Sequence, residues 1–547
     1  MTRSQRLIAF FIILGAFLIR VWALDDKPAH FDEGVNGFMA DEMRERGYYG
    51  YQPDNYHGPL HFYVLFAAQQ LCGRSLWVLR MPTVLVGVAA VALLFAFRRW
   101  FSFRTVAVAA IAMALSPAMI FYSRYAIHEM WLVFFVLLAS YAGIGCATGR
   151  RLRDRWFLGL AIAGMVLTKE TYAVHAIAAV LAVACVVLIR TATGGAFSDG
   201  RPNAAALFNP RHKRLPEEDE PVEVTPGTTW RVAAASLGLI IAFYSGFGMN
   251  WPGVAGLWET WGAMAFKGYG TGVTSEDAHH KALLYYVRLL MRYEWPALVG
   301  FIAAPIAAFL PSRASSNPLR FLALLGLGSF AGYSLISYKT PWCTIAALPP
   351  FFLVVGWLFD RLAGYLGEGV TEKASWGALV VAFFAQPAIA SWRLNFRNPT
   401  DDGEQYNYAY VQTTRDINKL LQPVRQLIAR DPLNRYLRGH IFSEAFPLRW
   451  ELADLPYVYF FEADQSPEQF DADFILFPKS LGSEQLTPDD REWEVRRSLR
   501  GVYYEIPYTT RGYGAECWLF LSADKFSSFF PGREPEFHPR IPQEEAK

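Results

Sequence analysis

Apolar residues along this chain gather into runs of 13 to 20 or so residues, separated by short polar clusters that keep returning to the same few residue types. Runs at residues 7–24, 81–97, 105–122, 129–147, 156–168, 174–189, 230–248, 295–311, 319–337, 340–359 and 375–391 predict about eleven membrane spans, since roughly 20 apolar residues cross a bilayer as a helix. The stretch from His57, HGPLHFYVLFAAQQLCG, is apolar only over 60–72 and is interrupted by Gln69 and Gln70. It predicts an interfacial or re-entrant helix, as does 34–46, where Val35, Phe38, Met39 and Met43 fall on one face at helical spacing. Beyond residue 393 the runs stop. Short apolar pieces at 457–461, 473–477 and 517–521 predict buried strands and 411–429 predicts a helix, hence a C-terminal soluble α/β domain.

Composition sharpens this picture. Of 547 residues, 53% are hydrophobic and 18% charged, against about 25% charged in a soluble domain. The chain therefore reads as a polytopic α-helical membrane protein, with a membrane domain over 1–392 and an extracytoplasmic domain over 393–547. The net charge of +2 and the lack of a basic stripe speak against nucleic acid as a partner. Five cysteines without a CxxC pair imply neither a zinc site nor a disulfide framework. MTRSQR and the run behind it resemble a signal peptide without a small-residue cleavage site, and read as a retained first span. Arginines cluster before the first span (Arg3, Arg6), after the second (Arg98, Arg99, Arg104), after the fourth (Arg150, Arg151, Arg153, Arg155) and after the eighth (Arg313, Arg320). That bias puts those loops and the N-terminus in the cytoplasm; the membrane expected is a plasma membrane. The segment 191–229, with RHKRLPEEDEP, reads as a solvated cytoplasmic linker.

The opposite face then collects the ionisable groups. Eight acids (Asp25, Asp26, Asp32, Glu33, Asp41, Glu42, Glu45, Asp54) crowd the first outer loop. With them come His57, Arg124, His128, Glu129, Lys169, Glu170, His280, Lys281, Glu294 and Lys339. Charges at a membrane interface are functional candidates, because burying them unpaired costs several kcal/mol. Each also has a plainer reading. Asp32 suits the N-cap of a helix starting at Gly34, with Glu33 as a favourable first-turn acid. Arg124 and Glu129 suit a snorkelling arginine and a span-start acid, and Lys169 and Lys339 suit loop anchors. His279 and His280 beside Glu276 and Asp277 have no defined metal-ligand spacing, which favours simple loop solvation. Trp251, Trp258 and Trp261 read as an aromatic belt.

In order and spacing, the DE pair after the first span, HGPL, RYAIHE and LTKE resemble the GT-C superfamily of membrane glycosyltransferases. The nearest members are protein O-mannosyltransferase-like and aminoarabinose-transferase-like. HHKALLYYVRLLMRYE, YKTPW and NPTDDGEQYNYAYVQTTRDI are similar to a branch labelled dolichyl-phosphate-mannose mannosyltransferase-like or flippase-activity-associated. Where aminoarabinose transferases carry an acidic–basic pair and the mannosyltransferases HPP, this chain reads Tyr56-His57-Gly58-Pro59. The resemblance implies a polyprenyl-monophosphate sugar as donor, used on the outer face, with a glycan, lipid or protein hydroxyl as acceptor. On that reading Asp32 is the general base, Glu33 holds or tunes it, and Glu129 positions a substrate. His57, Arg124, Lys169, His280 or Lys339 stabilise the departing phosphate, while His128, Glu170, Lys281 and Glu294 complete the substrate-binding set. One displacement inverts the anomeric centre. No cofactor is required by the sequence, and a divalent metal has no ligand pattern behind it. The rival classes are a lipid-linked-sugar flippase, which favours broken helices and midplane charges, and a non-catalytic glycan-assembly protein. No GxxxxGK[ST] phosphate loop supports nucleotide-driven transport.

Overall fold

The computed structural model describes residues 1–55, 57–149, 151–192, 197–198, 201–202, 226–269, 279–310, 316–366, 369–400, 407–462, 465–479, 491–511 and 516–538. The RHKRLPEEDEP linker and the pair Glu276 and Asp277 lie outside the described residues. The chain divides into two compact units. The first comprises Met1–Leu24, Ala40–Pro399 and Tyr406–Tyr408, the second Asp25–Met39, Thr400–Gln405 and Ala409–Lys547. Residues 25–39, assigned from sequence to the membrane domain, thus cluster with the C-terminal segment.

The first unit is helical. Its chain order begins with α1 (Arg3–Val21), then α2 (Phe31–Arg46, divided between the units), α3 (Leu60–Cys72), α4 (Leu76–Leu94), α5 (Phe103–Leu115), α6 (Pro117–Ser123), α7 (Glu129–Thr148), α8 (Leu152–Val166) and α9 (Tyr172–Ala192). A two-residue strand pair follows, β1 (Phe197–Ser198) with β2 (Arg201–Pro202). Among the described residues seven helices are long and apolar enough to cross a membrane, or eight if α5 and α6, bent by 60° at their junction, count as one span. The protein is a multi-pass membrane protein. The other three expected spans are also helical: α8, Pro226–Tyr244 and Trp295–Phe309. Two of these have 15 residues, about 22 Å at 1.5 Å per residue, short of a hydrocarbon core of about 30 Å. The short apolar stretch at 60–72 is α3, a 13-residue helix.

The α5–α6 break shows how the first unit satisfies polar backbone in an apolar setting. Ser116 is the N-cap of α6 with Pro117 at its first position, a combination that starts a new helix rather than continuing an old one. The orphaned last carbonyls of α5 are taken by other helices. Fully buried Arg20 of α1 donates to Met113 O and Ala114 O, both at 3.3 Å. Ser391 Oγ donates to Leu115 O. At the start of α6, Glu294 Oε1 accepts from Ser116 Oγ at 2.9 Å and from Ala118 N–H at 2.8 Å. Arg124, at the end of α6, returns the favour to α1 by donating to the carbonyls of Ile19, Arg20, Trp22 and Ala23.

The second unit holds a six-stranded mixed sheet in the order β4-β3-β5-β7-β6-β8: β3 (Gly439–Ile441), β4 (Val458–Phe460), β5 (Phe474–Pro478), β6 (Gly501–Thr509), β7 (Glu516–Ser522) and β8 (Glu536–His538). β3 pairs parallel with β4 and β5, and the remaining pairs are antiparallel. Both faces are covered. Phe474, Leu476, Leu519 and Leu521 join a core under the helix Asn418–Arg430, and Ile475, Phe477 and Phe520 join another that includes Val495. Strands are present at all three expected places, but β4 is a partly exposed edge strand and not a buried one, and the expected helix begins at Asn418 and not at 411. β3, β6 and β8 were not expected.

Residues 25–39 pack within this unit. The backbone N–H of His30 donates to Glu33 Oε2 at 3.0 Å, and Asp32 N–H donates to His30 Nδ1 at 3.1 Å. α2 therefore begins at Phe31 and is capped reciprocally by His30 and Glu33; Asp32 is not the cap. Gly34 and Gly37 lie where a Cβ would come within 2.6 Å of Pro447 Cα and of Trp450 Nε1, so the spacing in EGVNG flattens the helix for this contact. Phe31 and Phe38 flank Phe446 edge-on at 5.7 and 5.6 Å.

Candidate active site

Three of the sequence motifs meet in the first unit. The segment from His57 runs antiparallel to the α8–α9 turn. Gly58 N–H donates to Thr168 O and Leu60 N–H to Leu167 O, both at 3.0 Å, with His57 opposite Lys169. A Cβ on Gly58 would stand 2.2 Å from the Leu167 carbonyl, so glycine is required where HGPL meets LTKE. The α6–α7 connection supplies His128 and Glu129, the latter in the first turn of α7 where the helix dipole favours an acid.

The side chains form an ion pair and a histidine–carboxylate hydrogen bond around an imidazole cluster. Lys169 Nζ bonds Glu129 Oε1, with both side chains 6% exposed. His57 Nδ1 lies 3.1 Å from Glu170 Oε2. The His57 and His61 rings sit 4.6 and 4.5 Å from the His128 ring, and Trp131 Nε1 donates to His61 Nδ1 at 3.1 Å. Burial works to lower the Lys169 ammonium, but its neighbours, Glu129 first and then Cys343 and Glu170, together hold Lys169 well above its ordinary value. Burial raises Glu170, and the His57 contact overrides it to pull the carboxyl below its usual range. His128 is pushed well below its ordinary value by burial and then by its imidazole neighbours, so it is neutral. Lys169 and Glu129 line a narrow cleft together with Thr171, Tyr333, Trp342 and Cys343. Trp342 and Cys343 belong to the YKTPW stretch and its next residue.

The other candidates are held elsewhere or differently. Arg124 is engaged by the four carbonyls of α1's end and stacks over Phe396 at 4.8 Å. Lys339 donates to Ile336 O and, at 3.1 Å, to Lys281 O. Its backbone N–H donates to His279 O at 2.9 Å, so the HHK and YKT stretches are joined through their main chains, with His280 opposite Tyr338. Glu294 is fully buried at the start of α6, where burial pushes its carboxyl up to about 8. The folded protein then keeps a proton that the unfolded chain loses above about pH 4.3. This contribution to stability is whole below that pH and falls away as pH rises toward 8. Glu294→Gln should flatten that part of the stability profile, measured as thermal unfolding at pH 5, 6.5 and 8.

Asp32 and Glu33 belong to the second unit. Glu33 is fully buried in the cap, whereas the Asp32 side chain is 41% exposed. His30 is buried, and burial lowers its pKa despite the neighbouring acids. Its Nδ1 accepts from Asp32 N–H while Nε2 faces Tyr410 O at 3.2 Å, which defines the neutral Nε2–H tautomer. His30 is a residue that motif reading missed. Its place three residues before Glu33 is the signal that was present. Among the described residues no group of three or more His, Cys, Asp or Glu side chains is arranged to hold a metal ion.

Residues 56–195, which contain the whole His57–Glu170 cluster, match the family model described as dolichyl-phosphate-mannose-protein mannosyltransferase. No curated protein sequence matches the chain. Its fold is similar to that of ArnT from Cupriavidus metallidurans bound to undecaprenyl phosphate. That match has a TM-score of 0.56 and 13% sequence identity over 95% of this chain and 98% of that one. The apo state of the same ArnT matches with a TM-score of 0.50 and 14% identity, over 82% of this chain and 85% of the other. The family model thus matches residues 56–195, and the fold shared with ArnT extends over nearly the whole chain.

Proposed function

We propose that this protein transfers a sugar from a polyprenyl monophosphate to an acceptor hydroxyl on the outer face of the plasma membrane, with inversion. The observation that carries the reading is the convergence of HGPL, RYAIHE and LTKE on one buried cluster of paired carboxylates and cations within the segment that matches the mannosyltransferase model. A lipid phosphate is a competent leaving group, so the enzyme's main task is to stabilise its growing negative charge. Lys169 supplies a buried positive charge, and Glu129 keeps it protonated until an anion arrives. Glu170 orients the His57 ring beside it. Arg124, with its donors committed to the end of α1, acts by positioning, and Lys339 likewise fixes the HHK–YKT junction. The acceptor hydroxyl must lose a proton as it attacks the anomeric carbon. Asp32 is the base: its carboxylate is accessible, while Glu33 and His30 fix the helix turn that carries it. Polyprenyl phosphate leaves, and no covalent sugar–enzyme intermediate forms.

The test is release of polyprenyl phosphate by purified protein in nanodiscs, with acceptor present. Asp32→Asn should fold like wild type and lower turnover by about 10²–10⁴-fold, the usual worth of a general base. Unchanged turnover in that variant would remove Asp32 from the mechanism.

A further inference from the structure

Inside the first unit, a buried histidine that no motif includes lies behind the cleft. His175 on α9 is 2% exposed. It faces two residues one turn apart on the helix Asn317–Leu335: Ser329, 3.0 Å from Nδ1, and Tyr333, whose hydroxyl is 3.3 Å from Nε2. Tyr333 lines the cleft with Lys169, Glu129 and Thr171. The buried Thr171 hydroxyl lies beside the Tyr333 hydroxyl as a hydrogen-bond neighbour.

Counting protons along this chain sets its direction. Ser140, Ser236 and Ser334 each donate to the carbonyl four residues back in their own helices. Ser329 makes no such bond; its hydroxyl, fully buried, is bonded to His175 Nδ1. A buried hydroxyl proton needs an acceptor, so Ser329 donates and Nδ1 accepts. The ring proton of a neutral histidine then sits on Nε2, where it donates to the Tyr333 oxygen. That leaves the Tyr333 O–H proton for an acceptor on the cleft side: the Thr171 hydroxyl when the cleft is empty, and an anionic oxygen beside the Lys169 ammonium when one enters.

We propose that His175 is a positioning residue that holds the Tyr333 hydroxyl as a hydrogen-bond donor into the cleft, where Tyr333 bonds an anionic oxygen of the lipid-linked ligand beside Lys169. The proposal rests on the donor site proposed above. It adds a layer to that site: an orienting group contributed by α9 and fixed in tautomer by Ser329, in the way that the second nitrogen of a functional histidine is usually fixed by a neighbour. The ligand chemistry selected is a phosphate monoester or diester oxygen, because the cleft then offers a cation and a donor hydroxyl together.

The test is equilibrium binding of undecaprenyl monophosphate to the full-length protein in nanodiscs, with no sugar and no turnover. Wild type is measured first. Binding there supports the donor site on its own, and no binding overturns both the donor site and this proposal. Given wild-type binding, Tyr333→Phe and His175→Leu should each weaken it about tenfold. His175→Gln, which keeps an N–H near the Nε2 position, should restore it to within about threefold. The double variant His175→Leu/Tyr333→Phe should be no weaker than Tyr333→Phe alone, since both remove one device. Nitrogen-15 spectra of labelled histidine should show His175 protonated on Nε2 only, a readout available even where His175→Leu fails to fold. Additive losses in the double variant, a His175→Gln variant as weak as His175→Leu, or a proton on Nδ1 would each overturn the proposal.

Discussion

Lys169→Met should abolish transfer and destabilise the protein at once. The two losses have different causes. The variant leaves the Glu129 carboxylate, 6% exposed, without its cation, and breaking a buried pair from one side costs about 3–5 kcal/mol. Replacing both partners, Lys169→Met with Glu129→Gln, removes the stranded charge and should recover most of that stability. Activity should stay down in the double variant, because the departing lipid phosphate still lacks its counter-charge. One preorganised electrostatic contact of this kind is worth about 10²–10³-fold in turnover. Thermal unfolding in detergent beside donor turnover separates the two. If the double variant regains activity along with stability, the pair is a structural staple and Lys169 does not serve the chemistry.

Arg20→Met should be the most damaging change within α1. Arg20 donates to Ala16 O at 3.0 Å, to Met113 O and Ala114 O at 3.3 Å and to Ser123 Oγ at 3.1 Å. Its removal orphans carbonyls at the end of α5 where neither water nor a continuing helix can take them. At roughly 1–3 kcal/mol for each buried acceptor left unsatisfied, a loss of about 3–5 kcal/mol is expected. Arg20→Lys should recover only part, since a point ammonium cannot fork between two helices. The readout is the midpoint of thermal unfolding with retention of monodisperse protein. A variant as stable as wild type would mean that the break is satisfied in another way. The same residues bear on the transport alternative. Broken helices in transporters leave their open ends for substrate and ions. Here the two ends at the α5–α6 break are occupied by Arg20, Ser391 and Glu294.

Much of this organisation was legible in the residues. The apolar runs located the spanning helices, and the interruption at Gln69 and Gln70 marked α3 as too short. HGPL, RYAIHE and LTKE, scattered over more than a hundred positions, were singled out because buried charge is costly, and the fold brings them together. What stayed hidden depends on partners distant in sequence. Arg124 and Lys339 looked like free cations, yet each spends its donors on backbone carbonyls, a use that no local pattern announces. Residues 25–39 cluster with the C-terminal segment through contacts such as His30 with Tyr410 and Gln412 with Pro28, pairings across nearly four hundred positions. Strand β6 escaped notice because Tyr503 to Ile506 are buried consecutively. With a core on each face of the sheet, the alternation that normally betrays an antiparallel strand disappears. His175 was unreadable for a simpler reason: one polar residue in an apolar run has no period.

The most direct test of the account is transfer from a panel of radiolabelled polyprenyl-phosphate sugars by the purified protein, with a mixed pool of glycan, lipid and protein acceptors. The account predicts that at least one donor is consumed, releasing polyprenyl phosphate and delivering its sugar to an acceptor with inverted anomeric configuration. Tight binding of such donors without turnover across the whole pool, or transfer with retention, would contradict it.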